Sequence, residues 1–196
     1  MANKPVSRAT LLNVTIIVEA LMLLVAAVWI QMVGLQIAHA FVFSYKPVLI
    51  GIATGIVMAF AGLGAFWLGK TVPGFSQVRE LVQTYLIPIV AELKVMDLVA
   101  IAIISGFCEE VFFRGVVQPQ FGLPLTALAF GLFHDPSFRN IAYSVTALIY
   151  GIALGLLYIY TGNIWAPIFA HITHNMISLY VLRFRLKPPA DPVSTP

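Results

Sequence analysis

Long runs of apolar residues, separated by short polar segments, make up most of this 196-residue chain. A helix needs about 20 apolar residues to cross the hydrocarbon core of a bilayer, and five runs reach about that length. Another run has 12 residues, which span roughly 18 Å as a helix and are too few to cross. The pattern predicts about six transmembrane helices, the fourth of them short: 10–33, 48–68, 95–118, 123–134, 141–160 and 164–182.

Segment 70–94 has a different pattern from these spans. Its apolar residues recur at helical spacing, and charged or polar residues lie between them. The apolar positions are Val78, Leu81, Val82, Tyr85, Leu86 and Ile89, and the polar ones are Arg79, Glu80, Gln83 and Glu92. This alternation predicts an amphipathic helix that lies in the membrane interface.

The composition supports an all-α, polytopic integral membrane protein. The chain is 60% hydrophobic and only 10% charged, whereas an ordinary globular domain is about a quarter charged. The basic residues are scattered singly and form no stripe, which argues against nucleic acid as a partner. A single membrane-embedded domain is expected over residues 1–182, with a disordered cytoplasmic tail over 183–196.

The positions of the basic residues predict an orientation. If the N-terminus is cytoplasmic and each span changes side, nine Lys and Arg residues fall in cytoplasmic segments and only Lys46 on the opposite side. Cytoplasmic loops carry such an excess of positive charge. We therefore expect a multi-pass protein of the plasma or inner membrane, with both termini in the cytoplasm. The short fourth helix then ends in the cytoplasmic half, so a site beside it opens toward the cytoplasm.

Three charged residues interrupt the third predicted span near its middle. A charge at that depth costs about 2.5–3.5 kcal/mol on insertion scales unless it is paired or faces water. Glu110 and Arg114 are four residues apart, share a helix face and are expected to pair. Glu109 then faces a cavity and suits the role of a general base. The opposite assignment of the two glutamates remains open at this point.

Further polar residues come from other helices. His134 ends the short fourth helix, where it can join Glu109 in holding and activating a water molecule. His171 and Asn175 are four residues apart on the last span, where their side chains can donate to a developing oxyanion. Together these four residues predict a hydrolytic site. No Ser or Thr has the setting of an activated nucleophile.

Three motifs resemble those of the CPBP intramembrane proteases, which include the CAAX prenyl endopeptidases and the bacterial Abi proteins linked to bacteriocin processing and self-immunity. The motifs are Glu-Glu-x-x-x-Arg over 109–114, Phe-x-x-x-His over 130–134 and His-x-x-x-Asn over 171–175. The resemblance covers about residues 95–180. It implies that Glu109 is the water-activating glutamate with His134 as its partner, that His171 and Asn175 form the oxyanion pair, and that Glu110 and Arg114 support them.

The resemblance also bears on metal content. The family was long classed as metalloproteases, yet its site is similar to that of a glutamate-dependent hydrolase without metal. We expect no cofactor, and zinc is possible but not favoured. If the activity depends on metal, carboxylate and imidazole ligands would come from Glu109, His134 and His171.

The expected function is an intramembrane endopeptidase that acts on membrane-associated or lipidated, CAAX-like peptides, with membrane lipid as its other partner. One alternative is a non-catalytic bacteriocin-immunity or scaffold protein of the same fold. A proton- or ion-coupled carrier is another, although the inverted repeat typical of many carriers is not evident. Glu19 is interpreted as a polar contact between helices, Cys108 as a small buried side chain and His174 as a packing or supporting residue.

Overall fold

The computed structural model describes residues 7–135 and 140–186. Within these ranges the chain is all-helical, without a β-strand, as predicted. Short π-helical segments, Val82–Leu86 and Phe113–Val117, join α3 to α4 and α5 to α6. The helices are α1 (Arg8–Val33), α2 (Tyr45–Leu68), α3 (Ser76–Leu81), α4 (Ile87–Val90), α5 (Val95–Phe112), α6 (Gln118–His134), α7 (Ile141–Thr161) and α8 (Trp165–Phe184).

Two of the long helices have clear sequence signals at both ends. The side chains of Ser7 and Asn140 accept hydrogen bonds from the first turns of α1 and α7, which satisfies backbone groups that a helix leaves free. Gly34 and Gly162 end the same helices in the left-handed conformation, at φ 65° and 60°. Glycine adopts this conformation without the steric cost of a Cβ atom, so the boundaries lie close to those predicted.

Helices α1, α2 and α7 are long and apolar enough to cross a membrane, judged on the described residues by length and composition. The apolar sequence of helix α5 is interrupted by three acidic residues, Asp97, Glu109 and Glu110. The number of membrane crossings and their orientation therefore remain predictions.

Helix α8 lies at the centre of the bundle and packs against α2, α5 and α7. Its contact with α2 is close because of two glycines. A Cβ atom added to Gly51 or Gly55 would lie 2.3 Å from the carbonyl oxygen of Ala166 or Ala170, respectively. Small residues allow this approach in membrane helices. Gly64 does not contribute to it, because an added Cβ there would meet no atom within 4 Å.

Polar contacts connect the helices to one another at each end of the bundle. At one end, Arg8 forms a bidentate ion pair with Asp97, and Arg183 donates to the carbonyl of Leu93 at 3.0 Å. At the other end, the backbone N–H of Ile164 donates to the carbonyl of Ala40 at 3.0 Å. The start of α1 and the end of α8 thus lie at the same end of the molecule, which agrees with the alternation of spans that we predicted.

The predicted amphipathic helix is present as α3, its π-helical continuation and α4. Three of its buried side chains, Val82, Ile87 and Val90, pack in one cluster with Phe66 of α2, Leu98 of α5 and Leu182 of α8. Leu81 is buried as well. The segment covers one end of the bundle. Its placement in the membrane interface remains a prediction.

Two boundaries differ from the prediction. The third predicted helix does not end at residue 118, because the helical backbone of α5 runs through the π-helical segment into α6 and past Pro119. The break comes at Gly122, whose φ of 74° suits glycine. The short fourth helix predicted from the sequence continues from there to His134. At the C-terminus, α8 continues to Phe184, so the predicted tail begins later than residue 183. Residues 187–196 of that tail, and Pro136 after the fourth helix, lie outside the described residues.

Candidate active site

The end of α5 and the π-helical segment after it position a fully buried ion pair. Glu110 and Arg114 are both 0% exposed. The Oε1 and Oε2 atoms of Glu110 lie 3.2 and 3.0 Å from Nη1 and Nε of Arg114. Arg114 also donates through Nη2 to the carbonyl of Gly151 on α7, at 2.8 Å. The pairing expected from the four-residue spacing is therefore present, and it joins α5 to α7.

His171 on α8 makes a third contact with this pair. Its Nδ1 lies 2.8 Å from Oε1 of Glu110, and the residue is 5% exposed. Because a carboxylate accepts hydrogen bonds, Nδ1 of His171 carries the proton. Its Nε2 is then an acceptor in the neutral ring and a second donor in the protonated ring. The bond to Glu110 fixes the ring's orientation, as carboxylates do for functional histidines.

The neighbouring carboxylate, Glu109, is held much less tightly. It is 8% exposed, and its Oε2 has no hydrogen-bond partner among the residues that the structure describes. Nε2 of His134 lies 3.8 Å from that oxygen, which is longer than a hydrogen bond. Nδ1 of His134 lies 2.8 Å from the carbonyl of Phe130, which leaves Nε2 of a neutral ring free to accept. A water molecule beside the two groups can contact both.

Asn175 lies one helical turn after His171. Its Nδ2 donates to the hydroxyl of Ser105 at 3.0 Å, and this hydroxyl donates to the carbonyl of Ile101 at 2.8 Å. Sequence reasoning missed Ser105. The available signal was its position four residues before Glu109, which places both on one face of α5.

A cavity of about 420 Å³ opens beside these residues. His134, His171 and Asn175 contribute to its lining, together with Phe130. We expected Glu109 to face the cavity, but its side chain is not part of the lining. The carboxylate instead lies one side chain away, next to the lining residue His134.

Phe130 has a central position in the site. Its ring centroid lies 4.6 Å from that of His134 and 6.0 Å from that of His171. The guanidinium of Arg114 lies over the same ring at 4.8 Å. Cation–π contacts of this kind are favourable when desolvated, so Phe130 packs between the buried ion pair and the two histidines.

No three His, Cys, Asp or Glu side chains within 7–135 and 140–186 are grouped so that they could hold a metal ion. The conditional ligand set of Glu109, His134 and His171 is therefore not assembled as a metal centre. His171 in addition directs Nδ1 to Glu110. The metal content of the protein stays a prediction.

Part of the chain that contains this site is similar to a known protein family. Residues 91–177 match the family model of the type II CAAX prenyl endopeptidases that are Rce1-like. We call this matched part of the chain the Rce1-like region. The resemblance drawn from the three motifs is thereby confirmed, and the Rce1-like region contains all six residues of the predicted site. The family association supports a protease and a membrane location.

The chain also has a bacterial relative. The chain is 28% identical over 91 residues to the uncharacterized protein YpbD of Bacillus subtilis (strain 168). The match covers 46% of this chain and 48% of YpbD, so the chain spans about half the length of that relative. No solved structure matches.

Glu19 lies outside the Rce1-like region but close to its site. It is 6% exposed and, with Met22 and Ala26, forms the buried stripe of α1. It interacts electrostatically with Glu109 and His171. Its Oε2 has no hydrogen-bond partner in the described part of the chain. Cys108 is buried, as expected.

Proposed function

We propose that the protein is an intramembrane endopeptidase that hydrolyses peptide bonds with a water molecule activated by Glu109 and His134. The observation that carries the proposal is the contrast between two adjacent carboxylates. Both oxygens of Glu110 lie within 3.2 Å of Arg114 or His171, whereas Oε2 of Glu109 has no hydrogen-bond partner in the described chain and lies 3.8 Å from Nε2 of His134. A general base must be open to its water molecule, and of these two adjacent carboxylates Glu109 is the one that no arginine or lysine of the described residues pairs with.

The chemistry follows from these positions. Glu109 takes a proton from the water molecule, and the water oxygen attacks the carbonyl carbon of the peptide. The carbonyl oxygen becomes an oxyanion, for which the proposed donors are Nε2–H of a protonated His171 ring and the side-chain amide of Asn175. The carbon–nitrogen bond then breaks, and the proton held by Glu109 passes to the leaving amine. General base catalysis by such a residue contributes typically 10²–10⁴-fold.

The proposed substrates are membrane-associated or lipidated, CAAX-like peptides. The walls of the cavity are largely apolar, and they reach Leu11 and Leu186 at the end of the bundle that holds Arg8 and Arg183. That end is the cytoplasmic one in the orientation predicted from charge. The proposed location is therefore the plasma or inner membrane, with both termini in the cytoplasm and a site reached from the cytoplasm and from the lipid.

We propose that the reaction uses no metal ion. The test uses purified protein in detergent, a fluorogenic prenylated peptide and a panel of membrane peptides. Wild type, Glu109→Ala and the control Glu80→Ala, an exposed glutamate of α3, are compared with and without a strong chelator, and bound metal is assayed in parallel.

We expect wild type and Glu80→Ala to cleave the peptide and Glu109→Ala not to cleave it. The chelator should leave the rate of cleavage unchanged. Loss on chelation that zinc restores would contradict the metal-free mechanism. Equal cleavage by wild type and Glu109→Ala would contradict the site. No cleavage by wild type, with a cellular phenotype that tolerates Glu109→Ala, would favour the immunity or scaffold protein.

A further inference from the structure

The cavity beside the site is large enough for part of a substrate. Its volume of about 420 Å³ lies within the range of about 300–1,000 Å³ that is usual for ligand pockets. Apolar residues of α2, of segment 76–90 and of α7 form most of its walls, among them Met58, Phe66, Leu81 and Leu154. An apolar chain can lie against these walls, but a peptide main chain needs hydrogen-bond partners.

Polar side chains line one wall of the cavity, which is formed by α8. His171, His174, Asn175 and Ser178 all contribute to the lining. Their spacing of three, four and seven residues places them on one face of the helix. From His171 to Ser178 the helix rises about 10 Å. An extended peptide covers that length with about three residues.

His174 is the polar residue of this wall that needs a partner. Its Nδ1 is buried and has no hydrogen-bond partner among the residues that the structure describes. Its ring lies 4.5 Å from the ring of Tyr150, centroid to centroid, and the hydroxyl of Tyr150 donates to the carbonyl of Met58. A Cβ atom added to Gly62 would lie 2.4 Å from that hydroxyl, so Tyr150 is closely packed. The described neighbours of His174 therefore pack against its ring but leave Nδ1 without a hydrogen bond.

We propose that His174 and Ser178 form a subsite that binds the main chain of the substrate peptide next to the scissile bond. This inference rests on the proposed function and extends it from the reacting bond to the residues beside it. A peptide offers one N–H and one C=O per residue, and a neutral imidazole offers one donor and one acceptor. A lipid chain offers neither, so lipid and apolar side chains lie against the opposite, apolar wall. His174 and Ser178 act as positioning residues.

His174 is not one of the residues that define the three motifs, because it occupies a variable position of His-x-x-x-Asn. Ser178 lies just beyond the matched region, which ends at residue 177. The subsite thus lies outside the residues that define the three motifs. Its spacing predicts which substrate residues it contacts, namely those within about three positions of the cleaved bond.

The test measures binding separately from turnover. A farnesylated, CAAX-type peptide with an environment-sensitive fluorophore is titrated into Glu109→Gln protein in detergent, alone and combined with His174→Leu, His174→Gln, Ser178→Ala or the control His39→Leu. His39 is exposed and lies outside the cavity. A set of peptides in which single amide groups are replaced by esters locates the N–H groups that matter, because an ester lacks the donor.

We expect His174→Leu to raise Kd at least 10-fold, Ser178→Ala to raise it about 3-fold, His174→Gln to restore part of the affinity, and His39→Leu to change nothing. One ester substitution within three residues of the cleaved bond should weaken binding to the parent protein but not to His174→Leu. In the active protein, His174→Leu should raise KM and leave kcat within about 3-fold.

Thermal unfolding of every variant separates lost binding from lost folding. If His174→Leu unfolds, the ester-substituted peptides are titrated into His174→Gln instead, and the subsite then requires that this variant lose part of the parent's sensitivity to the ester. Unchanged Kd in folded His174→Leu, the same ester sensitivity as the parent, or no binding of the peptide would overturn the subsite. If wild type cleaves no peptide while the titrations behave as expected, the proposed function fails and the subsite stands.

Discussion

Glu109 and Glu110 are adjacent in the chain and identical in chemistry, yet the fold treats them differently. Glu110 is inaccessible to solvent, and its carboxylate contacts Arg114 and His171 at 2.8–3.2 Å. Glu109 keeps some exposure, and Oε2 lies 3.8 Å from His134 without a hydrogen-bond partner in the described residues. The helix separates the two side chains by about 100°, which is enough to place one in the packed interior and the other beside the cavity wall.

Glu109 and Glu110 show how a fold can give two adjacent negative charges different roles in a membrane protein. A fully partnered buried charge rigidifies the structure, whereas removal of its partner leaves it uncompensated. An incompletely partnered carboxylate next to a cavity is available for chemistry. We therefore interpret the Glu110 cluster, which comprises Glu110, Arg114 and His171, as the anchor that positions the bundle around Glu109.

The largest expected effect comes from breaking the anchor. Arg114→Met leaves Glu110 buried without its cation, which typically costs about 3–5 kcal/mol and is a large part of a normal folding free energy. We expect most of the variant to be unfolded or unstable in detergent. Denaturant unfolding checks this, with the exposed Arg185→Met as the matched control. A stable Arg114→Met protein would show that the anchor is dispensable.

Substitution of His134, the partner of Glu109, is expected to affect folding less than Arg114→Met does but to reduce activity strongly. His134→Leu removes the imidazole that lies next to the carboxylate and retains an apolar side chain against Phe130. We expect peptide cleavage to fall by about 10²-fold while the unfolding midpoint changes little. Initial rates and thermal unfolding on one preparation measure both. Unchanged cleavage would remove His134 from the mechanism.

The smallest effect is expected at Ser105, which holds Asn175 through one hydrogen bond. Ser105→Ala deletes that acceptor, and a hydrogen bond of this type contributes about 0.5–1.5 kcal/mol. We expect kcat to fall by up to about 10-fold with KM nearly unchanged, because Ser105 does not line the cavity. Steady-state kinetics distinguish this result from a rise in KM, which would place Ser105 in substrate binding instead.

The sequence was informative where contacts are local. The four-residue spacing of Glu110 and Arg114 predicted their ion pair, and the break after a short apolar run predicted where His134 lies. The bond from His171 to Glu110 joins residues 61 positions apart, and no periodicity can reveal which of two adjacent glutamates it reaches. The same holds for the bond between Asn175 and Ser105.

The helix boundaries show a similar limit. Apolar runs located the helices within a few residues, because burial in lipid or protein requires them. The π-helical segment Phe113–Val117 and the break at Gly122 depend instead on how α5 and α6 pack against their neighbours. The sequence pattern therefore misplaced the end of the third helix at residue 118, because the helical backbone continues through Pro119 as far as the break at Gly122.

The most direct test of the account exchanges each glutamate for its neutral counterpart. Glu109→Gln and Glu110→Gln are purified in parallel, and peptide cleavage and the free energy of unfolding are measured on the same samples. The account predicts that Glu109→Gln folds like wild type and cleaves about 10³-fold more slowly, whereas Glu110→Gln is destabilised by about 3–5 kcal/mol. The reverse pattern, a stable but inactive Glu110→Gln beside an active Glu109→Gln, would contradict the assignment of the two carboxylates.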